Sequence, residues 1–212
     1  KEGSVSTRVK DIIRQYEKSG NKTTFCTKDK LFQLSQTKMH QGLVLNCDNL
    51  PTYSLDDFLG SYQTPLIIAF DGIEDPQNFG AIIRSAAFLG AGGVLTTKNK
   101  TAPLSATASK ASAGSMEHFP IIQVNNLSES LLRLKKEGFF VIGAAGGSDT
   151  TNYRSLPEYE QAVLVLGNEG QGLRHLTRKR CDLLVHIPGS EAVESLNVSV
   201  AAGILIQQLI RF

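Results

Sequence analysis

The chain has 212 residues, a formal net charge of +2 and 41% hydrophobic residues. This length and apolar fraction suit one large domain, or one domain with a small appendage, in a globular protein. The apolar runs are far shorter than the roughly 20 residues of a membrane-spanning helix, so we expect no transmembrane segment. With so little net charge, binding to nucleic acid would depend on local basic clusters.

The cysteines and histidines do not follow the spacing of a metal site. The three cysteines are far apart and odd in number, which indicates a reducing compartment. The four histidines are scattered without HExxH spacing, so each is more typical of a structural or surface residue than of a ligand. The sequence therefore predicts no metal.

Residues 1–60 differ in composition from the rest of the chain. They are richer in Lys, Thr, Asn and Gln, and they end in a turn-prone stretch at residues 46–54. Apolar residues at helical spacing predict a helix over residues 9–18, and residues 42–45 are typical of a short strand. We therefore expect a small partial domain that ends near residue 60.

From residue 64 onward, short apolar runs alternate with helical segments, which is typical of an α/β domain with a mainly parallel sheet. Predicted strands cover residues 66–70, 93–96, 139–144, 162–166 and 183–187. Predicted helices cover residues 79–89, 104–113, 128–137, 173–180 and 196–210. Polar loops at residues 71–78, 167–172 and 188–195 follow strands, so they should meet at the edge where such sheets bind ligands.

The first of these loops leads into a helix that carries Arg84. Helical side chains lean toward the N-terminus, so Arg84 would extend back over the small residue Gly80 toward the loop, with Asn78 nearby. A guanidinium in that position suits a phosphate, as in an RNA substrate. The competing interpretation is that Asn78 caps the helix and Arg84 pairs with an acidic side chain of the loop.

The other two loops carry polar residues with open roles. The glycine spacing of residues 167–172 matches neither a dinucleotide fingerprint nor a P-loop, which disfavours a nucleotide-phosphate site. Glu169 can orient a hydroxyl or hold Arg84, or it can be an exposed turn carboxylate. Ser195 is a good N-cap for the helix that follows. Asn197 is unusual in so apolar a helix, which suggests a bond to a group outside it.

Two groups of basic residues are candidates for contacts with nucleic acid. They are Lys98 with Lys100 and Lys110, and Arg174 with Arg178, Lys179 and Arg180. Charged side chains commonly cover solvated helix faces, and that interpretation fits either group alone equally well.

Taken together, the three loops resemble the three motifs of the SpoU, or TrmH, branch of the SPOUT methyltransferases. The resemblance rests on residues 78–84, 166–170 and 187–199, and it covers about residues 66–210. Within the branch, the chain looks most like the RlmB-type large-subunit rRNA guanosine 2′-O-methyltransferases and their mitochondrial relatives.

The resemblance implies an α/β fold with a mainly parallel sheet, helices on both faces and a C-terminal deep trefoil knot. It implies a partial α+β RNA substrate-binding domain over residues 1–60 and a catalytic domain over residues 61–212. The implied function is S-adenosylmethionine-dependent 2′-O-methylation of a ribose, that of a guanosine in large-subunit rRNA. The alternatives are a tRNA 2′-O-methyltransferase and a catalytically idle RNA-binding ribosome-assembly factor. The implied assembly is a homodimer.

The resemblance also assigns site residues. The catalytic positions map onto Asn78, Arg84, Glu169, Ser195 and Asn197. The cofactor contacts map onto Ala144, Leu166, Gly167, Ile187 and Leu196. Because a guanidinium stays protonated at neutral pH and is a poor base, we expect Arg84 to position the ribose and phosphate.

The start of the chain carries no targeting signal that the sequence reveals. Residues 1–14 contain neither a signal-peptide apolar region nor an initiator methionine, so the chain resembles one that begins internally. We expect a cytoplasmic location if the protein is bacterial, which we favour, and the mitochondrial matrix if it is eukaryotic.

Overall fold

The computed structural model describes residues 6–35, 40–99, 104–190, 192–193 and 195–210. The chain forms two compact units that divide between Asn49 and Leu50. Within the described ranges, every helix falls short of the length and apolar character that a membrane crossing requires. The same ranges contain no group of three or more His, Cys, Asp or Glu residues arranged to hold a metal ion.

Where the structure describes the first unit, it contains two helices, α1 (Thr7–Lys18) and α2 (Lys28–Ser35), and neither buries a residue. The helix predicted over residues 9–18 is confirmed, and it begins after Ser6, whose side chain accepts from the Val9 N–H at 3.4 Å. The strand predicted over residues 42–45 is wrong. Gln41 and Gly42 have φ values of 53° and 85°, a left-handed conformation that turns the chain and is incompatible with a strand there.

The second unit is built on a seven-stranded parallel sheet in the order β3-β2-β1-β6-β4-β7-β5. The strands are β1 (Leu66–Asp71), β2 (Gly93–Thr97), β3 (Ile121–Val124), β4 (Phe140–Ala144), β5 (Thr151–Asn152), β6 (Ala162–Gly167) and β7 (Leu183–His186). The predicted parallel sheet is confirmed. Strands β3 and β5 were not predicted. Strand β5 has only two residues, which carry too little apolar pattern, and in β3 the polar Gln123 interrupts the apolar run.

Six helices accompany the sheet. They are α3 (Leu55–Ser61), α4 (Pro76–Phe88), α5 (Ala106–Ala111), α6 (Leu127–Lys136), α7 (His175–Arg180) and α8 (Val198–Leu209). The five helices predicted after residue 64 each overlap one of these. Helix α3 was not predicted. It belongs to the second unit and buries Leu55 and Phe58 in the core on one face of the sheet, so residues 50–61 pack with the sheet.

The sheet separates two hydrophobic cores. Side chains alternate along β1, so Ile68 and Phe70 enter the core that α4, α5 and α8 cover, whereas Ile67 enters the core that α3 and α6 cover. Each fully buried aliphatic or aromatic side chain contributes about 1.5–3 kcal/mol. The predicted α/β class with helices on both faces is confirmed, and the trefoil knot stays a prediction.

The carboxyl ends of the central strands meet at one edge of the second unit. In the parallel register, Asp71 at the end of β1 pairs with Gly167 at the end of β6. On the other side of β6, Ala144 of β4 pairs with Val185 of β7. The three polar loops therefore leave the sheet at the same edge, as the strand pattern predicts.

Candidate functional site

A chain of hydrogen bonds joins the three loops at this edge. The Asn197 Nδ2 amide donates to Asn78 Oδ1 at 3.0 Å, and the Asn78 Nδ2 amide donates to Glu169 Oε1 at 2.8 Å. We call these three residues the amide–carboxylate network. Three of the five predicted catalytic residues therefore meet, and each comes from a different loop.

The start of α4 explains why Asn78 is available to the network. Asp75 caps the helix by accepting from the Gln77 N–H at 3.0 Å, and Pro76 occupies the first helical position. Asn78 is therefore the third helical residue, and its amide is free to cross to Glu169. The interpretation of Asn78 as the cap is wrong, because Asp75 already fills that role.

Asn197 has two functions at the start of α8. Its Oδ1 accepts from the Ser199 N–H at 2.9 Å and from the Ser199 hydroxyl at 2.6 Å, which caps the helix. Its Nδ2 is then directed to Asn78. The prediction that Ser195 caps this helix is wrong: Ser195 is exposed and precedes the cap by two residues. Glu191 and Glu194 of the same loop lie outside the described residues.

Asn168 holds Glu169 in position, a role that the sequence did not reveal. Its backbone exchanges hydrogen bonds with Gly172 at 3.1 and 2.8 Å, which closes the loop on itself. Its Oδ1 accepts from the N–H groups of Gly170 and Gln171 at 3.0 and 3.2 Å, and its Nδ2 donates to the Gly72 carbonyl at 3.0 Å. The second loop is thereby tied to the first. An asparagine before a glycine-rich turn is the signal that could have identified it.

Gly167 is required by the fold-back of this loop. A Cβ on Gly167 would lie 2.3 Å from the Gly172 carbonyl carbon and 2.5 Å from the Leu173 nitrogen. Since both atoms belong to the backbone, they cannot yield as a flexible side chain would. Any larger residue at 167 would therefore move the loop that carries Glu169.

An ion pair between the buried Asp71 and the partly exposed Arg174 also links the end of β1 to the start of α7, and the sequence did not predict it. Asp71 is 1% exposed; its Oδ2 accepts from the Arg174 N–H at 2.7 Å, and its Oδ1 lies 3.5 Å from Arg174 Nη1. Gly72 has a φ of 84°, and a Cβ there would lie 2.9 Å from Arg174 Nη2. The left-handed glycine thus makes room for the guanidinium.

Arg84 lies on the exposed side of α4, outside the amide–carboxylate network. Gly80 does not offer an open path, because α5 covers it: a Cβ on Gly80 would lie 2.3 Å from the Ala108 carbonyl oxygen. The predicted route of the side chain is therefore wrong. The part of the chain that the structure describes supplies Arg84 with no hydrogen bond or ion pair. Instead, Arg84 lines an open depression with Phe88 and Ser115.

Four of the five residues predicted to contact the cofactor lie at the ends of β4, β6 and β7, and the fifth, Leu196, lies just before α8. Ala144, Gly167 and Ile187 end or follow three neighbouring strands, and the buried Leu166 can contribute only backbone groups. Leu196 is 48% exposed. Beside them, Gly146 and Gly189 have open space where a Cβ would be. The open space beside these glycines leaves room for a nucleoside cofactor.

Two shifted pKa values next to this edge have clear causes. Hydrogen bonds from Arg178 lower the pKa of Asp149, and this pair ties the loop after β4 to α7. Burial raises the pKa of the Cys181 thiol to about 12. Cys181 is therefore protonated at neutral pH and is no nucleophile for this site.

Comparison with known proteins decides the family. Residues 65–207 match the SpoU rRNA Methylase family. The chain belongs to the SpoU rRNA methylases. Residues 1–53 of this SpoU chain also match the family described as RNA 2′-O ribose methyltransferase substrate binding. The predicted family is thus confirmed.

Curated relatives align with nearly the whole of the SpoU chain. It is 38% identical to 23S rRNA (guanosine-2′-O-)-methyltransferase RlmB of Neisseria meningitidis serogroup B, covering 98% of this chain and 83% of that protein. It is 36% identical to RlmB of Escherichia coli K12, covering 99% of this chain and 87% of that protein.

Solved structures share the fold. The SpoU methyltransferase AviRb from Streptomyces viridochromogenes, in complex with AdoMet, matches with a TM-score of 0.67 and 26% identity. That match covers 74% of this chain, which spans 64% of the AviRb chain. An rRNA methyltransferase from Sinorhizobium meliloti gives a TM-score of 0.75 over 95% of this chain and 76% of its own; at 24% identity it supports the fold alone.

Proposed function

We propose that this protein transfers the methyl group of S-adenosylmethionine to the 2′-oxygen of a guanosine ribose in large-subunit rRNA. The observation that carries the proposal is the amide–carboxylate network, because it assembles polar groups from three loops at the ligand-binding edge. The names of the RlmB relatives support the substrate, and the AdoMet complex of AviRb supports the cofactor.

The cofactor would be held by backbone groups at Ala144, Leu166, Gly167 and Ile187, with the exposed side chain of Leu196 against it. When bound, S-adenosylmethionine supplies an activated methyl group. The chain's own residues then have to place the ribose oxygen in line with that group. Holding two reactants in such an orientation is worth roughly 7–11 kcal/mol of the barrier.

The network supplies this positioning. Glu169 uses Oε1 for Asn78, so its second carboxylate oxygen can accept the ribose hydroxyl proton in a hydrogen bond. The Asn78 amide holds the Glu169 carboxylate, and the Asn197 amide holds Asn78 in turn, so the carboxylate keeps one orientation. Ser195, exposed beside α8, can bond to the ribose or the cofactor. Arg84 remains charged and would bind the phosphate next to the reacting ribose.

The first segment would deliver the RNA. We assign the first unit, predicted to span residues 1–60, to a partial substrate-binding domain, and the unit that carries the sheet, predicted to span residues 61–212, to the catalytic domain. Because residues 50–61 pack with the sheet, they belong with the catalytic domain. The match of residues 1–53 to a substrate-binding family supports this division.

We further propose that the active form is a homodimer. Phe88 at the end of α4 is 86% exposed, and Leu196 and Val200 near the start of α8 are 48% and 51% exposed. Gly203 of α8 has open space beside it. Apolar side chains and a small residue of this kind suit burial against a second copy. The bacterial relatives support a cytoplasmic location.

The test is methyl transfer from labelled S-adenosylmethionine to purified rRNA that lacks the modification, followed by mapping of 2′-O-methylated positions. We expect one methylated guanosine in the large-subunit rRNA. If tRNA is labelled and rRNA is not, the substrate is tRNA and the assignment to rRNA is wrong. Failure to bind S-adenosylmethionine in calorimetry would overturn the proposed methyltransferase activity and favour a catalytically idle ribosome-assembly factor.

A further inference from the structure

A polar cleft opens at the carboxyl edge of the sheet, on the face that α6 covers. It has a volume of about 500 Å³ and lies between the ends of β1, β2 and β3 and the starts of α6 and α7. The lining residues that matter here are Asp71, Asn99, Asn125, Asn126, Arg174 and His175. The lining includes neither the residues of the amide–carboxylate network nor those predicted to contact the cofactor.

The cleft and the amide–carboxylate network lie on opposite faces of the sheet and meet at its edge. Phe70 packs in the core beneath α4 and α8, so Asp71, the next residue, points to the other face. The hydrogen bond from Asn168 to the Gly72 carbonyl lies between the two regions. An RNA strand whose ribose reaches Glu169 would enter the cleft by continuing around this edge of the sheet.

Arg174 presents unused hydrogen-bond donors to the cleft. Its side chain is 42% exposed, and the 3.5 Å separation of Nη1 from Asp71 Oδ1 is longer than a hydrogen bond. Its guanidinium makes no hydrogen bond to the residues that the structure describes. Asp71 Oδ1 is likewise buried without a hydrogen-bond partner. A loose pair of this kind leaves the guanidinium free to turn toward an incoming anion.

The start of α6 adds donors on the other side of the cleft. Asn126 Oδ1 caps the helix by accepting from the Glu129 N–H at 3.3 Å, so its Nδ2 amide remains a donor. The first N–H groups of a helix have no partner within it and carry partial positive charge. Asn99 and Asn125 are exposed and add amides that both donate and accept.

We propose that this cleft binds an unpaired nucleotide of the substrate RNA that flanks the methylated ribose. Its phosphate binds Arg174 and the N-terminus of α6, and the edge of its base bonds to the asparagine amides. Unpaired bases are read in this way, whereas phosphate contacts fix the register of the strand. The inference rests on the proposed function, since it places a second part of the same RNA.

The basic residues around the cleft differ in whether they are engaged within the protein or available to RNA. Arg178 is engaged by Asp149, and the Arg180 Nε donates to Ser128 Oγ at 3.1 Å, so both stabilise the fold. Lys179 is exposed on α7 and can add a phosphate contact. In the other predicted cluster, Lys100 lies outside the described residues.

The experiment compares Arg174→Gln and Asn125→Ala with the control Lys136→Gln, an exposed cation at the far end of α6. RNA affinity is measured by fluorescence anisotropy with an rRNA fragment, and KM for that fragment is measured with saturating cofactor. We expect both cleft variants to weaken RNA binding and raise its KM about tenfold, a change of about 1.4 kcal/mol. We expect kcat and cofactor affinity to stay within about twofold. Arg174→Gln should also reduce the salt dependence of log K by a slope of about 0.7–1.

Asn125→Ala keeps the inference falsifiable if Arg174→Gln disturbs Asp71, because the Asn125 side chain has no hydrogen bond within the described residues. RNA affinity and KM that match the wild type in Asn125→Ala would overturn the inference. Weak binding by Arg174→Gln alone, with a lowered melting temperature, would also overturn it and assign the arginine a structural role. Anisotropy tests the cleft even if the wild type methylates no RNA, so the two proposals can fail separately.

Discussion

The amide–carboxylate network and Arg84 are held in opposite ways, although Asn78 and Arg84 belong to the same helix. Asn78 donates to Glu169 and accepts from Asn197, and Asn168 fixes the loop that carries Glu169. Arg84 is exposed and has no partner among the described residues. In the proposed mechanism, the fold thus fixes the network before RNA binds and leaves Arg84 for the RNA to position.

The largest effect is expected from Arg84→Ala. If Arg84 binds the phosphate beside the reacting ribose, its loss should lower kcat/KM by about 10²–10⁴. Cofactor affinity should stay within about twofold, because the predicted cofactor residues lie on other elements. Single-turnover methylation and calorimetry measure the two quantities, with Lys136→Ala as the matched loss of an exposed cation. Turnover like that of the wild type would remove Arg84 from the site.

The fixed half is tested by Asn78→Asp, which places a carboxylate against Glu169 Oε1. Two carboxylates this close cannot both ionise, so the pKa of one of them rises. We expect kcat to fall about 10²-fold at pH 8 and to recover in part, relative to the wild type, as the pH is lowered and one proton restores the hydrogen bond. Asn78→Ala should lose activity at all pH values. A pH profile of Asn78→Asp parallel to that of the wild type would contradict the network.

The scaffold of the network is tested by a pair of glycine substitutions. Gly167→Ala forces a Cβ against the Gly172 backbone and should cost about 1–3 kcal/mol of stability. Gly170→Ala meets only the Asn168 Oδ1 atom at 3.7 Å, an ordinary contact. Thermal unfolding should therefore separate the two variants by several degrees, about 2–4 °C per kcal/mol for a domain of this size. Equal melting temperatures would show that the loop can open without cost.

The smallest effect is expected from Asn197→Asp. An aspartate keeps the oxygen that caps α8 and loses the amide that donates to Asn78. We expect kcat to fall about tenfold, as for a loss of about 1.4 kcal/mol, with stability nearly unchanged. Ser195→Ala is the control for stability and should not change it, because Ser195 is not the cap. A lowered melting temperature in Ser195→Ala would contradict the assignment of the cap.

Most of the sheet could be predicted because its strands are continuous apolar runs. Parallel strands buried on both faces, such as Leu66–Asp71 and Ala162–Gly167, are buried at every position. The rule that parallel strands end at one edge then placed three loops together. Strand β5, with two residues, is too short for periodicity to identify, and helix α3 lies before residue 64, in the stretch whose composition indicated a separate partial domain.

Within the site, residue types were easier to predict than contacts. Asn78 and Ser195 both fit the composition of an N-cap, but Asp75 and Asn197 hold those positions because each also matches the geometry of its own loop. Gly80 was read as an open surface, whereas α5 covers it. A single helix does not reveal which of its faces another helix will cover. The ion pair of Asp71 with Arg174 spans 103 residues and has no local signal.

The hydrogen bonds of the network span long stretches of chain. Glu169 is 91 residues from Asn78 along the chain, and Asn197 is 119 residues from Asn78. Translation proceeds at about 5–20 residues per second, so several seconds separate the synthesis of the first and third members. A nascent chain that has already made β1 and α4 has no assembled centre, since α8 has yet to appear. The network therefore becomes complete only after the residues at the start of α8 have been synthesised.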